Sequence, residues 1–242
     1  MTQPVYRENF TLSTIHLDRF GRMKTSMILY FAQEVATAHC KILGCDWDEM
    51  AKKGLFWAVM RHNIQIHRLP KDGDTITVET WPMPTTKVCY PRSCAAFDEN
   101  GQLLFQVHSL WILMDASSRA MVLPGKSGVT VDGILRGTEL SAPPSLQPKP
   151  MAQSISRAVR YSDLDRNGHM NNVKYLDWIA DLLCSDFHRE NTPSSVSLCY
   201  VNEAREGDTL KLGWSQGEDN IVRVEVTEET TNRRIFGASV GY

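Results

Sequence analysis

The sequence predicts an α+β fold in which one unit, a strand, a long helix and then an antiparallel sheet, occurs twice. Three observations carry this. Apolar residues recur every three or four positions over 27–42 and again over 173–187, and alternating stretches flank both. Short strings return in the same order: Asp18-Arg19-Phe20-Gly21-Arg22-Met23 agrees with Asp165-Arg166-Asn167-Gly168-His169-Met170 in four of six places, and Gly73-Asp74-Thr75-Ile76 comes back as Gly207-Asp208-Thr209-Leu210. Between the halves, Pro and Gly crowd 123–151, which has the texture of a linker laid across the surface.

The elements follow in order. Residues 5–17 alternate loosely and read as a strand. Thr25 or Ser26 can cap the first helix, whose stripe is Met27, Phe31, Val35, Ala38 and Ile42, and Gly44 stops it. Residues 47–53 read as a short helix or loop. Strands are expected over 55–66, 75–81, 88–97 and 103–114, with turns at 70–74 and at Asp98-Glu99-Asn100-Gly101. The second half repeats the plan: a strand over 154–161 and an amphipathic helix of about four turns carrying Val173, Leu176, Ile179, Leu183 and Phe187. Strands over 196–202, 209–214, 221–227 and 234–242 complete it. Its shorter spacing reflects the extra 47–54 region of the first half.

Composition excludes several classes. The chain has 242 residues, enough for one large or two small domains, with 42% hydrophobic and 22% charged residues and a formal net charge of -2. No global field draws it to nucleic acid or an anionic membrane. The first eight residues have no apolar signal core, and no apolar run reaches the roughly 18 residues of a spanning helix, so a cytoplasmic protein is expected. The six cysteines, Cys40, Cys45, Cys89, Cys94, Cys184 and Cys199, form no C-x-x-C and have no histidine at zinc spacing. They read as reduced and structural, with no metal or cofactor expected.

The chemistry concentrates in 161–175. Asp165, Asn167 and His169 alternate, so an extended segment would show them on one face. Asn167-Gly168 reads as a turn, and the helix that follows would offer free N–H groups near Met170 to Asn172. The bland reading is a common turn, an N-cap at Asn171 or Asn172, and a structural histidine. The repeat weighs against it. Where the halves agree, Asp, Arg, Gly and Met serve a shared turn. Where they differ, Phe20 stands opposite Asn167 and Arg22 opposite His169, so the turn forms without amide or imidazole. That argues for chemistry at a single site in the second half.

Asp163-Leu164-Asp165-x-Asn167-x-His169-x-Asn171-Asn172-Val173-Lys174-Tyr175 resembles the signature of the acyl-acyl-carrier-protein thioesterases of plant plastids and bacteria. Met23-Lys24, Gln33-Glu34, Leu55-Phe56-Trp57-x-Val59-x-Arg61, Gly73-Asp74 and Trp81 agree with it, so the resemblance covers nearly the whole chain. It implies a tandem (double) hotdog. The expected domains are an N-terminal hotdog at 1–125 that accommodates the acyl chain, a linker at 126–151, and a catalytic C-terminal hotdog at 152–242. It also implies hydrolysis of fatty acyl-acyl carrier protein to free fatty acid and holo carrier protein. The catalytic residues carry over onto Asp165, Asn167 and His169, and onto Glu203 after Leu198-x-Tyr200. Plant members have a cysteine after that glutamate, where this chain has Ala204, and Cys199 falls out of register, which weakens a cysteine mechanism.

On this reading Glu203 is the base for water or, as the lesser option, a nucleophile forming an anhydride. His169 and Asn167 position water or Glu203, Asp165 fixes their orientation, and amides near Met170 to Asn172 form the oxyanion hole. The run 55–60 and the first helix would take the acyl chain. The partner is acyl carrier protein bearing a 4'-phosphopantetheine thioester, with no nucleic acid and no membrane. Arg157, Arg160 and Lys174 are candidate docking residues. Whether two chains pair into a homodimer stays open, as does chain-length preference. The alternatives are an acyl-CoA thioesterase with the same site and a non-catalytic acyl-binding hotdog protein.

Overall fold

The computed structural model describes residues 3–137 and 140–242; Met1 and Thr2 of the amino-terminal stretch and Thr138 and Glu139 of the Pro/Gly-rich stretch lie outside them. The chain divides into two compact units, Met1–Pro143 and Pro144–Tyr242. The division falls inside the 126–151 stretch expected as a linker.

In the first unit the elements are β1 (Tyr6–Thr11), α1 (Thr25–Leu43), α2 (Trp47–Lys52), β2 (Leu55–Ile66), β3 (Thr75–Pro82), β4 (Tyr90–Phe97), β5 (Leu103–Asp115), β6 (Met121–Val122) and α3 (Pro124–Ser127). The strands are antiparallel in the order β1-β3-β4-β5-β2, with β6 on the end of β5. The expected first strand is shorter than its pattern: it stops at Thr11, and Thr14–His16 coil into a 3-10 turn. The α1 stripe is rotated from the expected one. Ile28, Phe31, Val35 and His39 are buried, whereas Ile42 is 50% exposed. The helix begins at Thr25 itself, and its cap position is Lys24, whose ammonium donates to the Ile15 carbonyl at 3.1 Å.

Part of the Pro/Gly-rich stretch is docked on this unit. Val129 is buried against Tyr90, whose hydroxyl donates to the Val129 carbonyl at 3.2 Å. The Ile134 N–H bonds the Pro82 carbonyl at 2.9 Å, and Arg136 lies over Trp81 while pairing with the buried Glu79. These bonds satisfy backbone that composition alone reads as free.

In the second unit the elements are β7 (Gln153–Ala158), α4 (Lys174–Ala180), α5 (Ser185–Glu190), β8 (Ser195–Tyr200), β9 (Thr209–Gln216), β10 (Ile221–Glu228) and β11 (Arg234–Gly241). Their order is β8-β11-β10-β9-β7, the same order as β2-β5-β4-β3-β1 in the first unit. β10 shows why the pattern was readable: every second residue, Val222, Val224, Val226 and Glu228, is buried. α4 packs Tyr175 flat on Phe236 of β11, with ring centroids 4.5 Å apart, and edge-on to Tyr200 of β8. Two such units in one chain make a tandem hotdog.

The expected four-turn helix of this unit is corrected. Its apolar period runs on through Leu183 and Phe187, but the helix stops at Ala180 and α5 starts afresh at Ser185. Two contacts from outside the local pattern end it. Asp181 is taken by Arg157 of β7 at 2.7 Å, and the Ala180 carbonyl lies 2.9 Å from Nε2 of His188, which folds back from α5. Leu182 and Leu183 are left half-buried in the break.

Candidate active site

The two repeated strings are the same turn, bond for bond. In the first unit the Asp18 N–H donates to the Arg22 carbonyl at 2.7 Å, and Asp18 Oδ1 accepts from Phe20 N–H at 2.8 Å and Arg22 N–H at 3.0 Å. In the second, the Asp165 N–H donates to the His169 carbonyl at 2.7 Å, and Asp165 Oδ1 accepts from Asn167 N–H at 2.8 Å and His169 N–H at 3.2 Å. Gly21 and Gly168 sit at φ 73 and 74, which a glycine adopts without Cβ strain. Met23 N–H bonds Pro70 and Met170 N–H bonds Ala204, both at 2.8 Å, which ties each turn to its Gly-Asp loop. Even the preceding 3-10 turns agree in place: His16 packs edge-on to Phe31, whereas Asp163, buried, accepts from the Trp178 indole at 3.3 Å.

The side chains then diverge. Arg22 closes the first turn on itself, giving Nε at 3.1 Å and Nη2 at 3.0 Å to Asp18 Oδ2 and lying over the Phe20 ring. In the second unit Asp165 Oδ2 has no partner among the described residues. His169 points away from Asp165, and its Nε2 lies 3.1 Å from Glu203 Oε2, with the histidine side chain 15% and the glutamate 36% exposed. Glu203 is held by its backbone on both sides. Asn202 and Val201 N–H groups bond the Ile235 carbonyl, the Ala204 carbonyl takes Met170, and Arg233 donates to the Glu203 carbonyl at 3.2 Å. Arg205 reaches to 3.7 Å from Glu203 Oε2. So the fold brings His169 and Glu203 together, keeps Asp165 beneath them as the turn's anchor with one oxygen open, and leaves Asn167 exposed at the turn's tip.

Comparison with known proteins gives the pattern a name. The family description for the acyl-ACP thioesterase N-terminal domain matches residues 3–123, and that for the C-terminal domain matches residues 148–237. The chain belongs to the acyl-ACP thioesterase family. It is 31% identical over 231 residues to a chloroplastic acyl-[acyl-carrier-protein] hydrolase of Cuphea viscosissima, covering 86% of this chain and 54% of that protein. The chain thus spans about half the length of the curated relatives it matches. In fold it is similar to a 12:0-ACP thioesterase from Umbellularia californica (TM-score 0.85, 22% identity, 100% of this chain and 98% of that one). It is equally similar to an acyl-ACP thioesterase from Bacteroides thetaiotaomicron (TM-score 0.84, 20% identity, 98% and 97%).

The three amides that the sequence offers as oxyanion donors are not equally available. Met170 and Asn171 N–H groups are already bonded, to Ala204 and Asp163 carbonyls at 2.8 Å each, so of the three amides only that of Asn172 lacks a partner among the described residues. Asn171 Oδ1 accepts the Val173 N–H at 3.0 Å at the turn into α4, the capping role the sequence offered to Asn171 or Asn172. One residue escaped the sequence reading. Tyr200 donates its hydroxyl to the Asn172 carbonyl at 3.1 Å, and burial drives its phenol well above the ordinary range, so it stays a neutral donor. The letter that pointed to Tyr200 was the L-x-Y string used only for register.

Cys199 is buried on β8, where it lies opposite Gly237, and Ala204 is buried at 1%. No disulfide joins any of the six cysteines. Among the described residues no cluster of histidine, cysteine and carboxylate could hold a metal ion, and no helix is long and apolar enough to cross a membrane.

Proposed function

We propose that the chain hydrolyses fatty acyl thioesters carried on acyl carrier protein, releasing free fatty acid and holo carrier protein at a single site in the second unit. The observation that carries this reading is the His169–Glu203 contact, 3.1 Å long, set on a turn whose first-unit copy forms without either group. Glu203 is the base: it takes a proton from water as the oxygen attacks the thioester carbonyl. His169 donates Nε2–H to Glu203 and fixes its rotamer, a tautomer that this contact assigns. The open Oδ2 of Asp165 and the exposed amide of Asn167 hold the water or the pantetheine arm. The oxyanion takes the Asn172 N–H, whose peptide Tyr200 holds from the carbonyl side. Collapse expels the thiolate, which leaves readily because a thiol has a pKa of about 8.5.

The half-buried side chains of Phe56, Trp57, Ala58 and Met60 in β2 are candidates for acyl-chain contact. For docking, Arg157, Lys174 and Arg205 are already matched by Asp181, Asp177 and Glu203, whereas Arg160 and Arg233 are exposed. Those two are the better candidates for the acidic carrier. The reading includes a cytoplasmic site of action, which fractionation of the host cell checks.

A panel of carrier proteins loaded with different acyl chains, each matched by its acyl-CoA, tests the proposal. Faster hydrolysis of the carrier-bound substrates is expected. Preference for acyl-CoA would move the substrate class, and hydrolysis of neither would make the chain an acyl-binding protein.

A further inference from the structure

α1 ends in Cys40-Lys41-Ile42-Leu43-Gly44-Cys45. Gly44 turns left-handed at φ 66, its N–H bonds the Lys41 carbonyl at 3.3 Å, and the Cys45 N–H returns to the Cys40 carbonyl at 2.9 Å. This crossed pair of bonds is the helix ending that lays the side chains of its first and last residues against each other. The contact is ordinarily apolar. Here both side chains are thiols, and Cys40 packs against the apolar cluster that holds Cys45. The returning bond also keeps the two backbones near the separation a disulfide needs.

The surroundings are unequal. Arg92 of β4 brings Nη2 to 3.6 Å from Cys40 Sγ, while its Nη1 donates to Thr80 Oγ1 and to His39 Nδ1, each at 3.2 Å. His39 is fully buried and neutral, with Nε2–H on the Gln3 carbonyl at 2.8 Å and Nδ1 left to accept. Arg92 pairs with no carboxylate among the described residues. Asp46, the acid nearest in charge, has its Oδ1 on the Glu49 N–H at 3.0 Å. Cys40 is therefore the one contact of Arg92 that can become an anion. The neighbouring Cys45 thiol and then Arg92 draw Cys40 down to about 7, against desolvation, while Cys40 and burial push Cys45 up.

We propose that Cys40 and Cys45 form a reversible dithiol switch in the first unit, Cys40 being the peroxide-reactive thiolate and Cys45 the thiol that resolves it. The Cys40 thiolate attacks one oxygen of hydrogen peroxide. The O–O bond breaks, hydroxide leaves, and the sulfur, oxidised by two electrons, becomes a sulfenic acid. Cys45 then attacks that sulfur, the S–O bond breaks, and water departs with the Cys45 proton as the disulfide forms. An external dithiol reverses the step. Cys45 is buried among Met50, Leu55 and Tyr90, and its carbonyl accepts the Trp57 indole N–H at 2.8 Å, so the cross-link forms at a packed junction.

The test is peroxide treatment of the whole chain at neutral pH, alkylation of the remaining thiols, and peptide mapping. A disulfide between Cys40 and Cys45 is expected, reversed by dithiothreitol and formed about tenfold or more faster than oxidation of the exposed Cys184. Cys45→Ser should leave a Cys40 sulfenic acid that dimedone traps, and Arg92→Met should slow alkylation of Cys40 several-fold. Oxidation of Cys184 as fast as Cys40 in the unmodified chain, or a peroxide cross-link to any other cysteine, overturns the proposal. That comparison needs no variant, so it holds even if a variant misfolds.

Discussion

The Asp18–Met23 turn and the Asp165–Met170 turn have one backbone and two chemistries. Their hydrogen bonds agree to within a few tenths of an ångström, through the same aspartate, the same glycine and the same tie to a Gly-Asp loop. In the first turn, Arg22 neutralises Asp18, and Leu69 occupies the place of Glu203 and is buried. In the second, the imidazole has turned from the aspartate to a carboxylate on the neighbouring loop, and the aspartate keeps an oxygen open. The difference separates what the turn needs in order to fold from what the second unit adds to it.

The sharpest way to break this comparison is to treat both turns alike. His169→Ala should lower kcat by roughly two to four orders of magnitude, and Arg22→Ala far less, in steady-state hydrolysis by folded protein; equal losses would end the single-site reading. Glu203→Gln keeps shape and hydrogen bonding but removes basicity. It should cost about two orders of magnitude or more in kcat with little change in carrier binding, and Glu203→Asp should fall between. Near-normal turnover by the glutamine variant would pass the base to Asp165 or His169. Asp165→Asn retains an acceptor for the turn and loses the charge. A loss of about tenfold or more, beside an Asp18→Asn control that merely breaks an ion pair, would assign the open oxygen to chemistry. Tyr200→Phe should lower kcat about two- to tenfold with KM unchanged, the worth of one hydrogen bond, because it loosens the Asn172 peptide without touching substrate. The smallest effect belongs to Cys199→Ser, which should keep most activity. Substrate-protected inactivation by alkylation of one cysteine would restore a thiol mechanism.

Most of the second turn could be read in letters, because two of its four shared residues, the aspartate and the glycine, meet strict backbone demands, and the repeat supplied a control. Glu203 was reachable by counting back from Gly207. Other features were not legible, for a common reason: partners distant in sequence decide them. The apolar period through Leu183 and Phe187 describes a continuous helix, and the contacts of Arg157 and His188 at its break come from outside that period. Free amides at Met170 and Asn171 follow from a helix start taken alone, yet Ala204 and Asp163 have already claimed them. Residues 129–136 have a linker's composition, but Tyr90, Pro82 and Glu79 fix them to the first unit.

The closed Asp18–Arg22 fork has a consequence for redesign. To carry the side chains of the second turn, the first would need Phe20, Arg22 and Leu69 to change together. Replacing Arg22 alone removes the cation that Asp18 and Phe20 now share, and replacing Leu69 alone puts a carboxylate into a buried place with no histidine to meet it. Each single step unsettles the turn without supplying the pair that the second turn carries. The three positions therefore behave as one unit, and a graft of the second turn's side chains onto the first has to be made whole.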